Sequence, residues 1–277
     1  MLVASAVLPM PGRPASTIGD PRSACSSNHP MITQILSRVS KSLATALRRG
    51  RGATSTIPFW ATMADVLPRF LPVLLAGLAV AAQVALGAFA LALVLGLALA
   101  LLTRSPVRFL RAPAWGYIEL IRGTPALTQL FILYFGLSEI GLSLSPMTAA
   151  ITGLGANGAA YLANVYRAGI DAVDRGQREA ALSLGLTPFA VLVDVVLPQA
   201  VRIMIPPFCN HAIQLLKDTS LVSAVAAPEI MFRARGLVME TYLSMHVYLL
   251  VAVIYLGCTI PLAHLAARIE RRLGRGR

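Results

Sequence analysis

Residues 70–102 read FLPVLLAGLAVAAQVALGAFALALVLGLALALL, a run of 33 residues without a charged side chain. A helix needs about 20 apolar residues to cross the hydrocarbon core of a bilayer, so this stretch predicts a spanning helix with length to spare. Gly77, Gly87 and Gly96 recur along it, and small residues of this kind allow close approach of neighbouring helices. The stretch therefore predicts that the chain folds in a membrane.

The composition points the same way. Of the 277 residues, 56% are apolar and 13% are charged, and the mean hydropathy is +0.70. A soluble domain carries about 25% charged residues, so the composition disfavours a water-soluble protein. The net charge of +12 does not indicate nucleic-acid binding, because the basic residues flank apolar runs and no aromatic and basic motif accompanies them.

Four further segments are candidate spans: residues 115–137, 147–166, 199–216 and 245–265. The last is clear from hydropathy, whereas the other three contain polar side chains that need a buried or water-lined environment in a membrane. Polar spans are typical of a transport pathway and not of a simple anchor. We therefore predict an all-α integral membrane protein with five spans.

The placement of charge predicts the orientation of these spans. The loop 103–114 carries three arginines and no acid, the loop 138–146 carries one acid and no base, and the C-terminal flank is strongly basic. Because basic loops stay in the cytoplasm, we predict an outside N-terminus and a cytoplasmic C-terminus. Residues 1–58 hold seven basic residues and one acid, which predicts either disorder or an extension that precedes a true start at Met63.

The loop between the third and fourth spans has an internal pattern. Residues 174–198 read DRGQREAALSLGLTPFAVLVDVVLP. The sequence predicts a short helix that ends at Gly185 in a C′ position. A second short helix would begin with Thr187 as N-cap and Pro188 at N1 and close at Leu197-Pro198. A helical pair exposed between spans indicates a docking surface for a partner, and the alternative is an amphipathic loop that lies on the membrane.

This loop resembles the signature loop of importer-type ATP-binding-cassette (ABC) permeases, in which Glu-Ala-Ala, Gly and Leu-Pro recur at fixed spacing. Other stretches resemble the polar amino acid branch of that family, the histidine, glutamine and arginine type. They are Arg122-Gly123-Thr124-Pro125, Ala160-Tyr161 with Arg167, Gly169 and Ile170, Gly176-Gln177, and Lys217-Asp218-Thr219-Ser220-Leu221. The resemblance covers residues 65–273 as one transmembrane domain. It departs at Asn164, where the family usually has Glu, and this leaves the particular amino acid open.

The resemblance implies a permease subunit of an ABC importer in the cell inner membrane, which translocates a polar amino acid. Its implied partners are a separate ABC ATPase, a second permease copy or paralogue, and an extracytoplasmic binding protein that delivers the substrate. ATP and magnesium would be held by the ATPase, and this chain would bind no cofactor. The sequence itself contains no Walker loop, HExxH or GxSxG motif and no metal-ligand spacing around its cysteines, so we predict neither an enzyme nor a metal site.

Two sets of site residues follow from the resemblance and from the polar spans. The predicted ATPase-coupling residues are Gly176, Gln177, Glu179, Ala180, Ala181, Gly185, Leu197 and Pro198. The predicted substrate-pathway residues are Arg122, Thr124, Gln129, Tyr161, Asn164, Asn210, Gln214 and Lys217. Each has a structural alternative, because polar side chains also join membrane helices. Arg122 can pair with Glu119, Lys217 with Asp218, and Glu179 with Arg175 or Arg178.

Two other functions compete with this interpretation. A channel or secondary transporter for a small polar solute would predict internal repeats, and none is clear. A membrane-embedded enzyme would need a paired nucleophile and base within the spans, and the sequence shows no such pair. Whether two identical or two different permeases assemble stays open.

Overall fold

The computed structural model of the protein describes residues 59–274, so the predictions for residues 1–58 fall outside the described part. Every described element is helical. The helices are α1 (Phe59–Thr103), α2 (Arg108–Arg122), α3 (Ala126–Glu139), α4 (Pro146–Asp171), α5 (Arg175–Ser183), α6 (Pro188–Val225), α7 (Ile230–Thr241) and α8 (Ser244–Gly274). The predicted all-α fold is thereby confirmed for the described residues.

Three described helices, α1, α6 and α8, are long and apolar enough to cross a membrane. A fourth crossing is formed if α2 and α3, which meet at an angle of 109°, count together as one broken span. Helix α4 has 26 residues, but its Gly, Asn and Thr content keeps it below the hydropathy of the other three. The count of five spans therefore stays a prediction.

The candidate span over residues 115–137 is not one straight helix, because the chain bends sharply between Arg122 and Ala126. Pro125 has no N–H to continue the hydrogen-bond ladder, and its ring keeps Thr124 away from the helical region. The Thr124 hydroxyl instead donates to the Leu120 carbonyl at 2.9 Å. The bend thus arises at the Gly-Thr-Pro run itself.

Helix α4 lies at the centre of the domain and packs closely on α1 through small residues. A Cβ at Gly96 would lie 3.0 Å from the Cβ of Leu162, and a Cβ at Gly155 would lie 2.8 Å from Leu91. Near its other end, α1 touches α7, where a Cβ at Gly77 would lie 2.7 Å from the Cα of Ile230. The close approach predicted for the α1 glycines is confirmed.

We expect Gly77→Ala to destabilise the protein by about 1–3 kcal/mol, the usual cost of overpacking a tight contact. The added methyl group would meet the backbone of α7, which cannot rotate away as a side chain can. The measurement is the melting temperature of the purified protein. Gly257→Ala is the matched control, because nothing lies within 4 Å of a Cβ at that position. Equal melting temperatures for the two variants would contradict the packing argument.

The turn between α5 and α6, called the α5–α6 corner below, forms as the sequence predicts. Gly185 has φ +85°, its N–H donates to the Leu182 carbonyl at 2.9 Å, and the Leu186 N–H donates to the Ala181 carbonyl at 3.3 Å. This is a Schellman ending with Gly at C′. Thr187 then caps α6 by accepting a hydrogen bond from the Ala190 N–H at 3.2 Å. These predictions for Gly185, Thr187 and Pro188 are confirmed.

The predicted end of the second short helix at Leu197-Pro198 is wrong. Helix α6 instead runs without interruption from Pro188 to Val225, through a π-helical stretch at Val191–Val196. A π stretch shifts the hydrogen-bond register by one residue, which helps the helix to pass a proline that has no N–H to donate. The second half of the predicted coupling loop and the fourth predicted span are therefore parts of the same helix.

Helix α7 begins at a buried carboxylate. Glu229 has 0% exposure, and its two oxygens accept hydrogen bonds from the N–H groups of Met231 at 2.9 Å and Phe232 at 2.8 Å. These bonds satisfy two of the free donors at the helix N-terminus. Burial raises the pKa of Glu229 from 4.5 to about 7, and the two backbone hydrogen bonds oppose this shift.

The raised pKa gives a prediction for stability. A carboxyl group that holds its proton more tightly in the folded than in the unfolded state contributes stability below its ordinary pKa, and this contribution is lost as the pH rises through the folded value. We therefore expect the melting temperature to fall between about pH 5 and about pH 8, and Glu229→Gln to flatten that slope. Glu119→Gln, at a side chain that is 65% exposed, is the control. A slope that survives in Glu229→Gln would contradict the assignment.

Candidate functional site

A polar cavity of about 420 Å³ lies between α4 and α6. All of its lining side chains carry polar groups, whereas the two other large cavities described are lined mainly by apolar side chains. The lining residues are Asn157, Tyr161, Asn210, His211, Gln214 and Asp218.

The helical repeat brings these side chains together. Asn157 and Tyr161 are four residues apart on α4, and Asn210, Gln214 and Asp218 follow one another at the same interval on α6. Residues four apart lie on one face of a helix. Each helix therefore presents a polar stripe, and the packing of α4 against α6 places the two stripes opposite each other.

The cavity is partly organised by its own contacts. The Tyr161 ring stacks on the His211 ring with centroids 4.8 Å apart, and Gln214 Nε2 donates to Asp218 Oδ1 at 2.8 Å. A Cβ at Gly158 would lie 2.7 Å from His211 Nε2, so only glycine leaves room for this imidazole. The ring orientation of His211 thus depends on Gly158 and Tyr161 together.

The charge in the cavity is negative. Asp218 contributes a carboxylate, and no Lys or Arg side chain is among the lining residues. In residues 59–272 Asp218 forms no ion pair within 4.0 Å, so the predicted alternative of a Lys217–Asp218 pair is not formed. The amides of Asn157, Asn210 and Gln214 add both donors and acceptors. This set can receive a solute that carries an ammonium group together with a carboxylate.

Three of the eight predicted pathway residues, Tyr161, Asn210 and Gln214, line the cavity. Gln129 does not line the cavity but contacts a residue that does, because its Oε1 accepts a hydrogen bond from Asn157 Nδ2 at 3.0 Å. Its Nε2 donates to the Ile121 carbonyl and to Thr124 Oγ1, both at 2.7 Å. Gln129 and Thr124 therefore connect the bend between α2 and α3 to the cavity wall.

The other three predicted pathway residues lie elsewhere. Arg122 Nη1 is 3.9 Å from Glu119 Oε1, and both side chains are more than half exposed. Lys217 is exposed. Asn164 accepts a hydrogen bond from Arg167 Nη1 at 3.4 Å, and the Arg167 guanidinium stacks on the Trp115 ring at 4.2 Å. The structure thus gives Arg122 and Asn164 structural partners and does not place them or Lys217 in the cavity.

Three lining residues were missed as pathway candidates: Asn157, His211 and Asp218. The signal that could have found them is the interval of four residues. One turn beyond Gln214 is Asp218, and one turn before Tyr161 is Asn157. His211 stands beside Asn210 and faces the same cavity from the next position around the helix.

The predicted coupling loop, residues 174–198, forms an exposed corner with an apolar surface. In it, Gly176, Gln177, Glu179, Ala180, Leu197 and Pro198 are exposed, while Ala181 is buried against Val191 and Val196. Leu184 is 83% exposed and Phe189 is 75% exposed. Large apolar side chains with this exposure, rimmed by polar groups, mark a protein or membrane interaction site.

The loop is fixed to the helices around it. Asp174 caps α5 by accepting a hydrogen bond from the Gly176 N–H at 2.6 Å, and Arg178 donates to the Ile170 carbonyl at the end of α4. Arg104 and Asp171 form a salt bridge between the ends of α1 and α4. In residues 59–272 Glu179 makes no ion pair within 4.0 Å, so its carboxylate is available to a partner.

Comparison with known proteins identifies the family. The family model described as binding-protein-dependent transport system inner membrane component matches residues 92–275. The probable amino-acid permease protein YxeN of Bacillus subtilis (strain 168) is 37% identical over 207 residues, which cover 74% of this chain and 92% of the relative. The arginine transport system permease protein ArtQ of the same organism is 33% identical over 204 residues, which cover 73% and 93%.

Solved structures agree with this assignment. The crystal structure of an amino acid ABC transporter with histidines superposes with a TM-score of 0.72 at 34% identity, covering 74% of this chain and 96% of that chain. An inward-facing structure of the MetNI methionine ABC transporter superposes with a TM-score of 0.61 at 20% identity, which supports the fold alone. The protein therefore belongs to the binding-protein-dependent inner membrane transport components, the permease subunits of ABC importers.

Proposed function

We propose that this permease passes a polar amino acid across the membrane and that the cavity between α4 and α6 contacts the amino acid on its way. The observation that carries the proposal is the convergence of five polar side chains around the carboxylate of Asp218. The names of the relatives support the substrate class, since they include amino-acid, glutamine and arginine permeases.

The chemistry of the cavity suits the two charged groups of an amino acid. The Asp218 carboxylate attracts the ammonium group, because charge-assisted hydrogen bonds are about twice as strong as neutral ones. The amide N–H groups of Asn157 and Asn210 can donate to the substrate carboxylate. Asn164, which replaces the usual Glu of the family, lies outside the cavity, so the choice among amino acids would be made by the lining residues and by the binding protein.

The exposed α5–α6 corner is the proposed docking surface for the ABC ATPase. Leu184 and Phe189 would enter a groove of the ATPase, and Glu179 would contact its rim. ATP and magnesium would be held by that ATPase and not by this chain. Gly185 sets the sharp turn between the two helices, and Ala181 fixes the base of the corner to α6.

The complete importer would contain two permeases, two ATPases and an extracytoplasmic binding protein. The basic C-terminal flank supports an inner-membrane orientation with the coupling loop and the C-terminus in the cytoplasm and the N-terminus outside. ATP binding would close the two ATPases and draw the coupling loops together. The pathway would then change from inward-facing to outward-facing by rigid-body movement of the two permeases.

The test uses the permease purified together with its ATPase and binding protein in lipid vesicles. We expect one or a few polar amino acids to stimulate ATP hydrolysis and to accumulate on the side where the ATPase lies. Apolar amino acids and sugars are the controls. If no polar amino acid stimulates hydrolysis while another small solute does, the substrate assignment is wrong and the family assignment still stands.

A further inference from the structure

A second cavity, of about 300 Å³, lies between α1, α6 and α8. No charged residue lines it, and four of its twelve lining residues are alanines, so it forms an apolar groove. The larger lining side chains are Leu86 and Phe89 from α1, Ile213 from α6, and Leu265 and Ile269 from α8. The polar cavity and the coupling loop make no use of this groove.

Arginines continue the groove at one end. On α8, Arg272 follows Ile269 by three residues and Leu265 by seven, so all three lie on one face of the helix. On α6, Arg202 precedes the lining residue Cys209 by seven residues, about 10 Å along the same face.

These arginines have no partner among the described residues. Arg202, Arg268, Arg271 and Arg272 are exposed, and the nearby acid is Glu270. None of these arginines forms an ion pair within residues 59–272.

The packing of the helix ends shows that both sets of arginines lie at the same end. The starts of α1 and α8 share a buried cluster that includes Phe70, Leu74, Val247 and Val251, so these two helices run in the same direction. Helix α6 begins beside the coupling loop and ends near the start of α7, so it runs the opposite way. Arg202 near the start of α6 and Arg272 near the end of α8 therefore both lie toward the coupling loop.

We propose that this groove binds one acyl chain of an anionic phospholipid, whose phosphate is held by Arg272, Arg268 and Arg202. The uncharged lining of leucine, isoleucine, phenylalanine and alanine side chains suits an alkyl chain. The guanidinium group matches a phosphate in geometry as well as charge, and basic residues beside spanning helices bind anionic headgroups. A second copy of the chain is a poorer occupant, because a two-fold contact would bring an equal number of arginines to the same place.

The test is native mass spectrometry of the permease–ATPase complex from vesicles of equal phosphatidylglycerol and phosphatidylcholine. We expect the wild-type complex to retain phosphatidylglycerol selectively. Arg268→Gln with Arg272→Gln should lower that retention roughly 5- to 30-fold, from about a fivefold loss per arginine. Arg108→Gln with Arg111→Gln, at exposed arginines on another helix, is the charge control and should have no effect.

A second pair of variants tests the groove itself. Ala212→Leu fills it and should lower retention, whereas Ala90→Leu, at an exposed position on α1, should not. Raising the salt concentration should weaken retention by the wild type, which keeps the test valid if Ala212→Leu does not assemble. Equal retention of the two lipids would overturn the proposal. A change in the number of permease copies upon Ala212→Leu, without lipid loss, would show that a second copy fills the groove and would also overturn it.

Discussion

Asp218→Asn is expected to raise the KM for amino acid uptake by roughly 10- to 100-fold, the equivalent of about 1.5–3 kcal/mol for a hydrogen bond to a charged group. The substitution keeps the shape of the side chain and its contact with Gln214, since an amide oxygen can still accept from Gln214 Nε2. It removes the negative charge of the cavity. The substrate ammonium group would then lose its ionic partner without any change in packing.

The measurement is uptake of the amino acid that stimulates the purified importer, as a function of its concentration. Asp65→Asn is the matched control, because Asp65 is an exposed aspartate near the start of α1, outside both the cavity and the coupling loop. ATP hydrolysis without substrate should be unchanged in both variants. If Asp218→Asn transports with the wild-type KM, the cavity does not contact the ammonium group, and that part of the proposal fails.

Phe189→Ala is expected to weaken the association between permease and ATPase by about 30-fold or more, since an aromatic side chain at the centre of an interface commonly contributes at least 2 kcal/mol. Phe189 is 75% exposed, so its removal leaves no cavity in the permease, and the loss would appear in binding and not in folding. Uptake should fall in parallel with assembly.

The measurement is co-purification of the ATPase with the permease, together with the melting temperature of the permease alone. Trp60→Ala is the control, because Trp60 is 72% exposed and lies at the start of α1, away from the coupling loop. A variant Phe189→Ala that binds the ATPase normally would show that the apolar corner is not the docking surface.

The membrane class and the α5–α6 corner were predictable because each depends on local physics. An uncharged apolar run of 33 residues predicts a membrane-spanning helix. A left-handed backbone position after a short helix favours glycine, as at Gly185. The Thr187 cap and Pro188 follow the same local rules.

The bend between α2 and α3 and the continuity of α6 could not be predicted from local sequence rules. Both depend on how a proline is accommodated, and the sequence shows the proline without its surroundings. At Pro125 the chain turns through 109°, whereas before Pro198 a π stretch absorbs the missing donor and the helix continues.

Three of the six residues that line the polar cavity were predicted from the sequence. Tyr161, Asn210 and Gln214 stood out as polar residues within apolar spans. Asp218 was assigned to its neighbour Lys217 because adjacent opposite charges look like a pair in sequence. On a helix, however, adjacent residues point about 100° apart, and the structure turns Asp218 toward Gln214 and leaves Lys217 exposed.

The continuity of α6 determines how far a movement at the proposed ATPase contact would be transmitted along the helix. Phe189 and Asn210 are 21 residues apart on this one helix, a distance of about 32 Å. If the helix tilts as a rod by about 10°, one end moves by about 5–6 Å relative to the other, close to one helical turn. On the proposed assignments, the corner that would meet the ATPase and the wall that would meet the solute are thus two ends of one helix. A hinge would have to form inside α6, at its π stretch or at Pro206 and Pro207, for them to move independently.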